Sequence, residues 1–261
     1  MNAARVVTRA KKASIPGSES SGKVLSVLLS FTEERHTQTV QQLAEVLDAP
    51  MSSVYRYVGL LRDFGLLEEA EFGGYRVSLR AAALARAARA GSAGLSERVR
   101  PVLERLVEQT GETALLLRPL GHAVVAVDLE ESRSPVRLMF ERGVLMPLHQ
   151  GAGPRVLLAA LSAKERAAYY EALSAVAAAP ELPSDDELDR VAAAGWAESF
   201  GQIEDGIWGT AAAVRVNNKV VAALSVAGPL YRLDDTKRAA AIQAVRDGAA
   251  EINSAEQWDQ P

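Results

Sequence analysis

Hydrophobic and polar positions follow a helical period through the first third of the chain. Val40, Leu43, Ala44 and Leu47 fall at i, i+3, i+4 and i+7, one face of a helix. Thr39 and Gln42 have the T-x-x-Q spacing of a capping box at its start. Asp48-Ala49-Pro50 reads as a tight turn, with Pro50 placed where a second helix can begin. That helix buries Val54, Val58 and Leu61 and turns Ser52, Arg56 and Gly59 outward; Gly65 stops it. Leu66-Leu67 and Tyr75-Arg76-Val77 then flank a Gly73-Gly74 turn of hairpin type. Upstream, Val24, Val27, Leu28 and Phe31 fit a helix packing behind the pair. Helix, turn, helix and a two-stranded wing make a reader of the DNA major groove.

The outward stripe suits that task. Ser52 and Gly59 are small enough for close backbone approach, and Arg56 can reach a phosphate or a guanine edge, with Tyr55 and Arg62 beside it. The DNA-facing candidates are Thr39, Ser52, Ser53, Tyr55, Arg56, Gly59, Arg62 and, in the wing, Arg76. The alternatives are a winged helix used for protein contacts and a merely solvated Arg56.

The pattern then changes. Residues 80–91 are strong helix formers with few bulky apolar groups, which suits a helical linker. A helix over about 95–109 buries Val99, Val102, Leu103, Leu106 and Val107. From Thr110 the segments ETALLLRPL, HAVVAVDLEE and PVRLMF are strand-like. A loop over 147–155 leads into the apolar helix VLLAALS, followed by helices over 163–176 and 185–194, the latter capped by Ser184. Strands 207–216 and 219–227 meet at Asn217-Asn218, and a helix over 234–252 ends the fold. The class is α+β: a winged helix-turn-helix, then an antiparallel sheet domain with flanking helices. The expected division is a flexible basic arm (1–20), the winged helix (21–80), the linker (81–91), the sheet domain (92–255) and a loose tail (256–261).

Composition narrows the chemistry. With no cysteine there is no disulfide, thiolate nucleophile or cysteine-ligated metal. His36, His122 and His149 lack metal-ligand spacing, so neither metal nor cofactor is expected. The N-terminus has no apolar signal core, and the apolar run over 220–230 is too short to cross a bilayer, so a cytoplasmic protein is expected. Net charge is −4: residues 1–80 hold ten Lys/Arg against nine Asp/Glu, and residues 81–261 hold nineteen against twenty-four. This is no non-specific polycation. The arm residues Arg5, Arg9, Lys11 and Lys12 either touch DNA or belong to a solvated tail.

Gly151-Ala152-Gly153-Pro154 opens a helix with free N–H groups, a seat for a carboxylate or phosphate or simply a tight helix start. Walker and Rossmann spacings are absent. His149 has no spacing that makes it a base for Ser162 or Ser225, so an enzyme reading is disfavoured.

These residues carry a resemblance. SSVYRYVGLLRDFGLLE with the Tyr75-Arg76-Val77 wing, the LMPLHQGAGPRVLLA segment, and GWAESFGQIEDGIWGTAAAV followed by VVAALSVAGP resemble the IclR family of transcriptional regulators, from about Gly22 to Ile252. The resemblance implies a homodimer or dimer of dimers on a palindromic double-stranded operator, more often repressing. It also implies a GAF/PAS-like domain binding a small, usually carboxylate-bearing effector at the backbone of Ala152 and Gly153. The family's polar ring of Asp, Cys and two Ser matches Ser199, Gly209, Ser225 and Ala227, of which only Ser225 keeps the family residue. The loop Lys becomes Arg155 after Pro154, and the signature Glu becomes Gln202. These departures point to an acid larger or more apolar than glyoxylate, or to a pocket that has lost its ligand. The effector set is therefore Gly151, Ala152, Gly153, Arg155, Ser199, Gly209, Ser225 and Ala227, with Met139 and Ile207 against the apolar body.

Overall fold

The computed structural model describes residues 17–174 and 182–254, with the backbone alone over 89–96. The expected arm lies almost wholly, and the expected tail (256–261) entirely, outside the described residues. Two compact units divide between Ala93 and Gly94.

In the first unit, helices α1 (Glu19–Leu29), α2 (Val40–Leu47) and α3 (Met51–Asp63) close on one core of Val27, Val40, Leu43, Val54, Val58 and Leu61, joined by Leu67. Local signals set the ends. The Thr39 side chain accepts from the Gln42 backbone and Gln42 bonds back to the Thr39 N–H, a complete capping box. Pro50, extended at φ −58°, precedes α3 as its cap rather than serving as its first residue. Gly65, at φ +67°, ends α3: its N–H donates to Arg62 O and the Leu66 N–H to Leu61 O, the paired bonds that close a left-handed helix end.

The wing departs from expectation. Strands β2 (Leu67–Glu69) and β3 (Tyr75–Val77) are joined by a 3-10 turn over Glu71–Gly73 with Phe72 at φ +60°, not by a two-residue Gly73-Gly74 turn. A third strand, β1 (Thr37–Gln38), pairs with β3, giving the order β1-β3-β2. Two residues are too few to show a period of two, which is why β1 left no mark in the sequence.

Helix α4 runs unbroken over Arg80–Thr110, so the expected linker and following helix are one element. Strong helix formers on both sides carry the helix through the Gly91–Gly94 stretch, because propagation is far easier than nucleation. Pro101 lies inside it.

The second unit is a six-stranded antiparallel sheet in the order β6-β5-β4-β9-β8-β7. Its strands are β4 (Thr113–Leu120), β5 (Ala123–Glu130), β6 (Leu145–Pro147), β7 (Trp196–Phe200), β8 (Ile207–Val216) and β9 (Lys219–Pro229). One face buries Leu116, Leu224 and Val226 against Val99, Val102, Leu103 and Leu106 of α4 and Val245 and Ile252 of α8 (Asp235–Ser254). On the other, α5 (Ala152–Ala159) packs on β4, β7, β8 and β9 and against α7 (Asp185–Ala194); α6 (Ala163–Ser174) follows α5. Ser184 caps α7 by accepting from the Glu187 N–H, and Asn217 and Asn218 turn β8 into β9 at φ 49° and 62°.

Two strand assignments change. PVRLMF (135–140) is irregular; the edge strand β6 comes later. Its carbonyls go to side chains instead of a ladder: Thr113 Oγ1 donates to Leu138 O and Arg232 Nη1 to Val136 O. Strand β7 was not expected, and α5 begins at Ala152 rather than after Arg155. No described helix is long and apolar enough to cross a membrane.

Candidate functional site

On the first unit, α3 carries Ser52, Ser53, Tyr55, Arg56, Gly59 and Arg62. Val54, Val58 and Leu61 face the core, so Ser52, Tyr55 and Arg56 are left exposed. Arg56 makes no hydrogen bond or ion pair among the described residues. A Cβ at Gly59 would meet nothing within 4 Å, so packing inside this chain does not call for glycine there. The other candidates are already engaged. Thr39 is spent on its capping box; Arg62 Nη2 pairs with Glu69 at 2.8 Å and its guanidinium lies over the Tyr75 ring; Arg76 Nε pairs with Glu68 at 2.7 Å.

In the second unit a small cavity opens between the sheet and the start of α5. Strand register explains who lines it: Ser199 pairs with Gly209 and Gly209 with Ala227, one row across β7, β8 and β9, while Leu115 pairs with Ser225. Eight of the ten residues expected from the sequence surround it, namely Gly151, Ala152, Gly153, Ser199, Ile207, Gly209, Ser225 and Ala227.

Two do not. Met139 is 74% exposed, and Phe140 faces the cavity in its place. Arg155 leaves the helix sideways: Nη1 reaches Glu187 at 2.9 Å and donates to Glu198 O at 3.3 Å, clamping α5 to α7 and β7. The remaining wall, which the sequence did not single out, is Leu115, Leu117, Met146, Pro154, Ile203 and Trp208. The available signal was the apolar run over 114–117, which shows burial but not which face meets a cavity.

The walls are apolar and the polar atoms few. Ser225 Oγ donates to Thr210 O at 3.0 Å. The Gly151 N–H donates to Gln202 Oε1 at 3.3 Å, and Ile203 packs over Gly151. Arg155 N closes on Gly151 O, Pro154 has no N–H, and the N–H groups of Ala152 and Gly153 have no partner among the described residues. Two backbone donors at a helix start thus face an apolar chamber, a setting that favours an anionic group with a hydrophobic body.

Nearby titratable groups are structural. His149 Nδ1 meets the Tyr169 hydroxyl at 2.6 Å, and burial pushes the imidazole below its ordinary value and the phenol above its own. Neither candidate serine is paired to it, since Ser162 exchanges bonds with Glu165 and Ser225 is bound to Thr210. Burial opposes ionisation of Glu198, but hydrogen bonds from Arg238 and Trp208 and the Arg238 charge hold it below the usual carboxylate range.

Comparison with known proteins agrees with both units. The IclR helix-turn-helix domain matches residues 21–71, and the bacterial transcriptional regulator IclR C-terminal domain matches 87–254. The HTH-type transcriptional regulator BhcR of Paracoccus denitrificans is 28% identical over 254 residues, covering 91% of this chain and 89% of its own. The HTH-type transcriptional repressor AllR of Klebsiella pneumoniae is 26% identical over 252 residues, covering 92% and 90%. An IclR homolog from Microbacterium hydrocarbonoxydans, solved with 4-hydroxybenzoate, shares the fold at a TM-score of 0.64 and 23% identity, covering 96% of each chain. The chain belongs to the IclR family of transcriptional regulators: it is a ligand-responsive, DNA-binding regulator and not an enzyme.

Proposed function

We propose that this regulator represses a catabolic or metabolic operon and is controlled by a small organic acid larger and more apolar than glyoxylate. The observation that carries this reading is the cavity itself, apolar on nearly every wall with the Ala152 and Gly153 N–H groups unpartnered at one end. The carboxylate sits at those donors and the body of the acid lies against Leu115, Phe140, Ile207 and Ala227. Gly209 and Ala227 offer no polar side chain to a two- or three-carbon acid, whereas apolar contact contributes about 25 cal/mol per Å² buried. The relative solved with 4-hydroxybenzoate and the relatives named as repressors support the same reading.

On DNA, the start of α3 enters the major groove, with Arg56 on a base or phosphate and Ser52, Ser53, Tyr55 and Gly59 against the duplex. The working unit is a homodimer or dimer of dimers in the cytoplasm. Two-fold symmetry places its reading heads on operator half-sites about 10 bp apart or multiples of that. Calorimetry of the full chain against glyoxylate, pyruvate and a panel of aromatic and longer-chain acids tests the effector assignment. Binding of an aromatic or longer acid is expected; tight binding of glyoxylate with no response to any larger acid contradicts it.

A further inference from the structure

We infer that Glu68 and Glu69 are specificity residues of the DNA-reading head: by engaging Arg76 and Arg62 they keep its affinity for random-sequence duplex low. Residues 17–80 hold six Lys/Arg against nine Asp/Glu, so this stretch carries a net negative charge although it belongs to a DNA-binding protein. The imbalance is local. Glu68, Glu69 and Glu71 crowd the wing, and two of them pair with arginines, Glu68 with Arg76 of β3 at 2.7 Å and Glu69 with Arg62 in the last turn of α3 at 2.8 Å. Arg62 is further held over the Tyr75 ring, with its guanidinium 5.8 Å from the ring centre.

Arg56 is the contrast. It lies on the same helix, is exposed, and has no partner among the described residues. At 1.5 Å rise per residue, Arg62 is about 9 Å further along α3, within roughly one Debye length of Arg56 at physiological salt. A duplex approaching Arg56 therefore also feels the wing carboxylates. Each guanidinium given to a carboxylate is one not given to a phosphate, and each free carboxylate edge repels the backbone. Phosphate contacts supply sequence-independent affinity, while base contacts supply discrimination. Neutralising Arg62 and Arg76 removes the first and leaves the second to Arg56 and the start of α3. The pairs contribute little to stability, because all four side chains are at least 42% exposed. Their effect is on the charge the head presents.

The test is the binding of a fluorescent random-sequence duplex to the full chain, wild type against Glu68→Gln/Glu69→Gln, over a salt series. Each phosphate newly neutralised steepens the slope of log K against log salt by about 0.9, so the double variant should be steeper by up to about 1.8 and bind about tenfold tighter at low salt. Adding Arg62→Gln and Arg76→Gln to that variant should return affinity and slope to wild-type levels. If the double variant does not fold, Glu68→Gln and Glu69→Gln singly should each show about half the change in slope. Wild-type affinity and slope in the glutamine variants, with or without a lower melting temperature, would overturn the inference. Failure of the wild type to bind any duplex would instead indict the DNA-binding assignment.

Discussion

Leu117 occupies the space into which a side chain at Gly153 would grow: a Cβ there would fall 2.4 Å from Leu117 Cδ1. Leu117 is 3% exposed and cannot swing to solvent. Gly153→Ala must therefore push Leu117 into the cavity or lift the start of α5. Overpacking of this kind costs about 1–3 kcal/mol of stability. Loss of effector binding should accompany it, checked by thermal melting and calorimetry on the same sample. Wild-type effector affinity in Gly153→Ala would show that neither the start of α5 nor the Leu117 wall bears on the ligand.

Gln202 Oε1 holds the Gly151 N–H beside the two unpartnered donors. An acid seated there competes with that amide oxygen. Gln202→Ala should tighten binding of a monocarboxylate severalfold, and Gln202→Glu, which sets a charge at the same place, should weaken it. Titration calorimetry separates the two. Weaker binding in Gln202→Ala would mean that the amide helps hold the ligand rather than competing with it.

The buried His149 makes stability depend on pH. Its folded value lies below its ordinary one because burial penalises the charged ring. The unfolded chain therefore takes up the proton first as pH falls. Stability contributed by the neutral ring is complete above about 6.5, the ordinary histidine value, and is lost as pH drops below it toward the folded value. Urea unfolding at pH 8 and pH 5 should show a loss of stability at the lower pH that is smaller in His149→Asn. An identical loss in the variant would assign the effect to other groups.

Arg56 is exposed and unpartnered on the stripe facing away from the core. Arg56→Ala should weaken operator binding by about 1–3 kcal/mol if it reads a base. It should weaken all sequences equally if it touches only phosphate. Wild-type operator affinity would exclude both roles.

Much of the first unit was legible because its signals are local. Thr39-x-x-Gln42, the Gly65 stop and the Val54/Val58/Leu61 spacing each fix an element within a few residues of themselves. Asn217-Asn218 and Ser184 acted likewise in the second unit. The cavity was legible only in part. Its backbone donors follow from the Gly-Ala-Gly run, and several of its wall residues from resemblance to a family. Which of Met139 and Phe140 turns inward depends on an irregular segment tied by Thr113 and Arg232, and nothing local sets that choice. Arg155 turns away from the cavity for a similar reason: its partners, Glu187 and the Glu198 carbonyl, lie more than thirty residues away and are brought near only by the packing of α5, α7 and β7. Leu115 and Leu117 sit in a run buried on both sides of the sheet, where alternation cannot distinguish a face.

The most direct test of the central claim, that an acid in the cavity controls DNA binding, is fluorescence anisotropy of a labelled duplex from the region upstream of the gene. The full chain is titrated onto it with and without each acid of the panel, beside the Gly153→Ala variant. Specific binding by the wild type is expected, shifted at least tenfold by one aromatic or longer-chain acid and unshifted by that acid in Gly153→Ala. Specific binding that no acid shifts, or a shift that persists undiminished in Gly153→Ala, would contradict it.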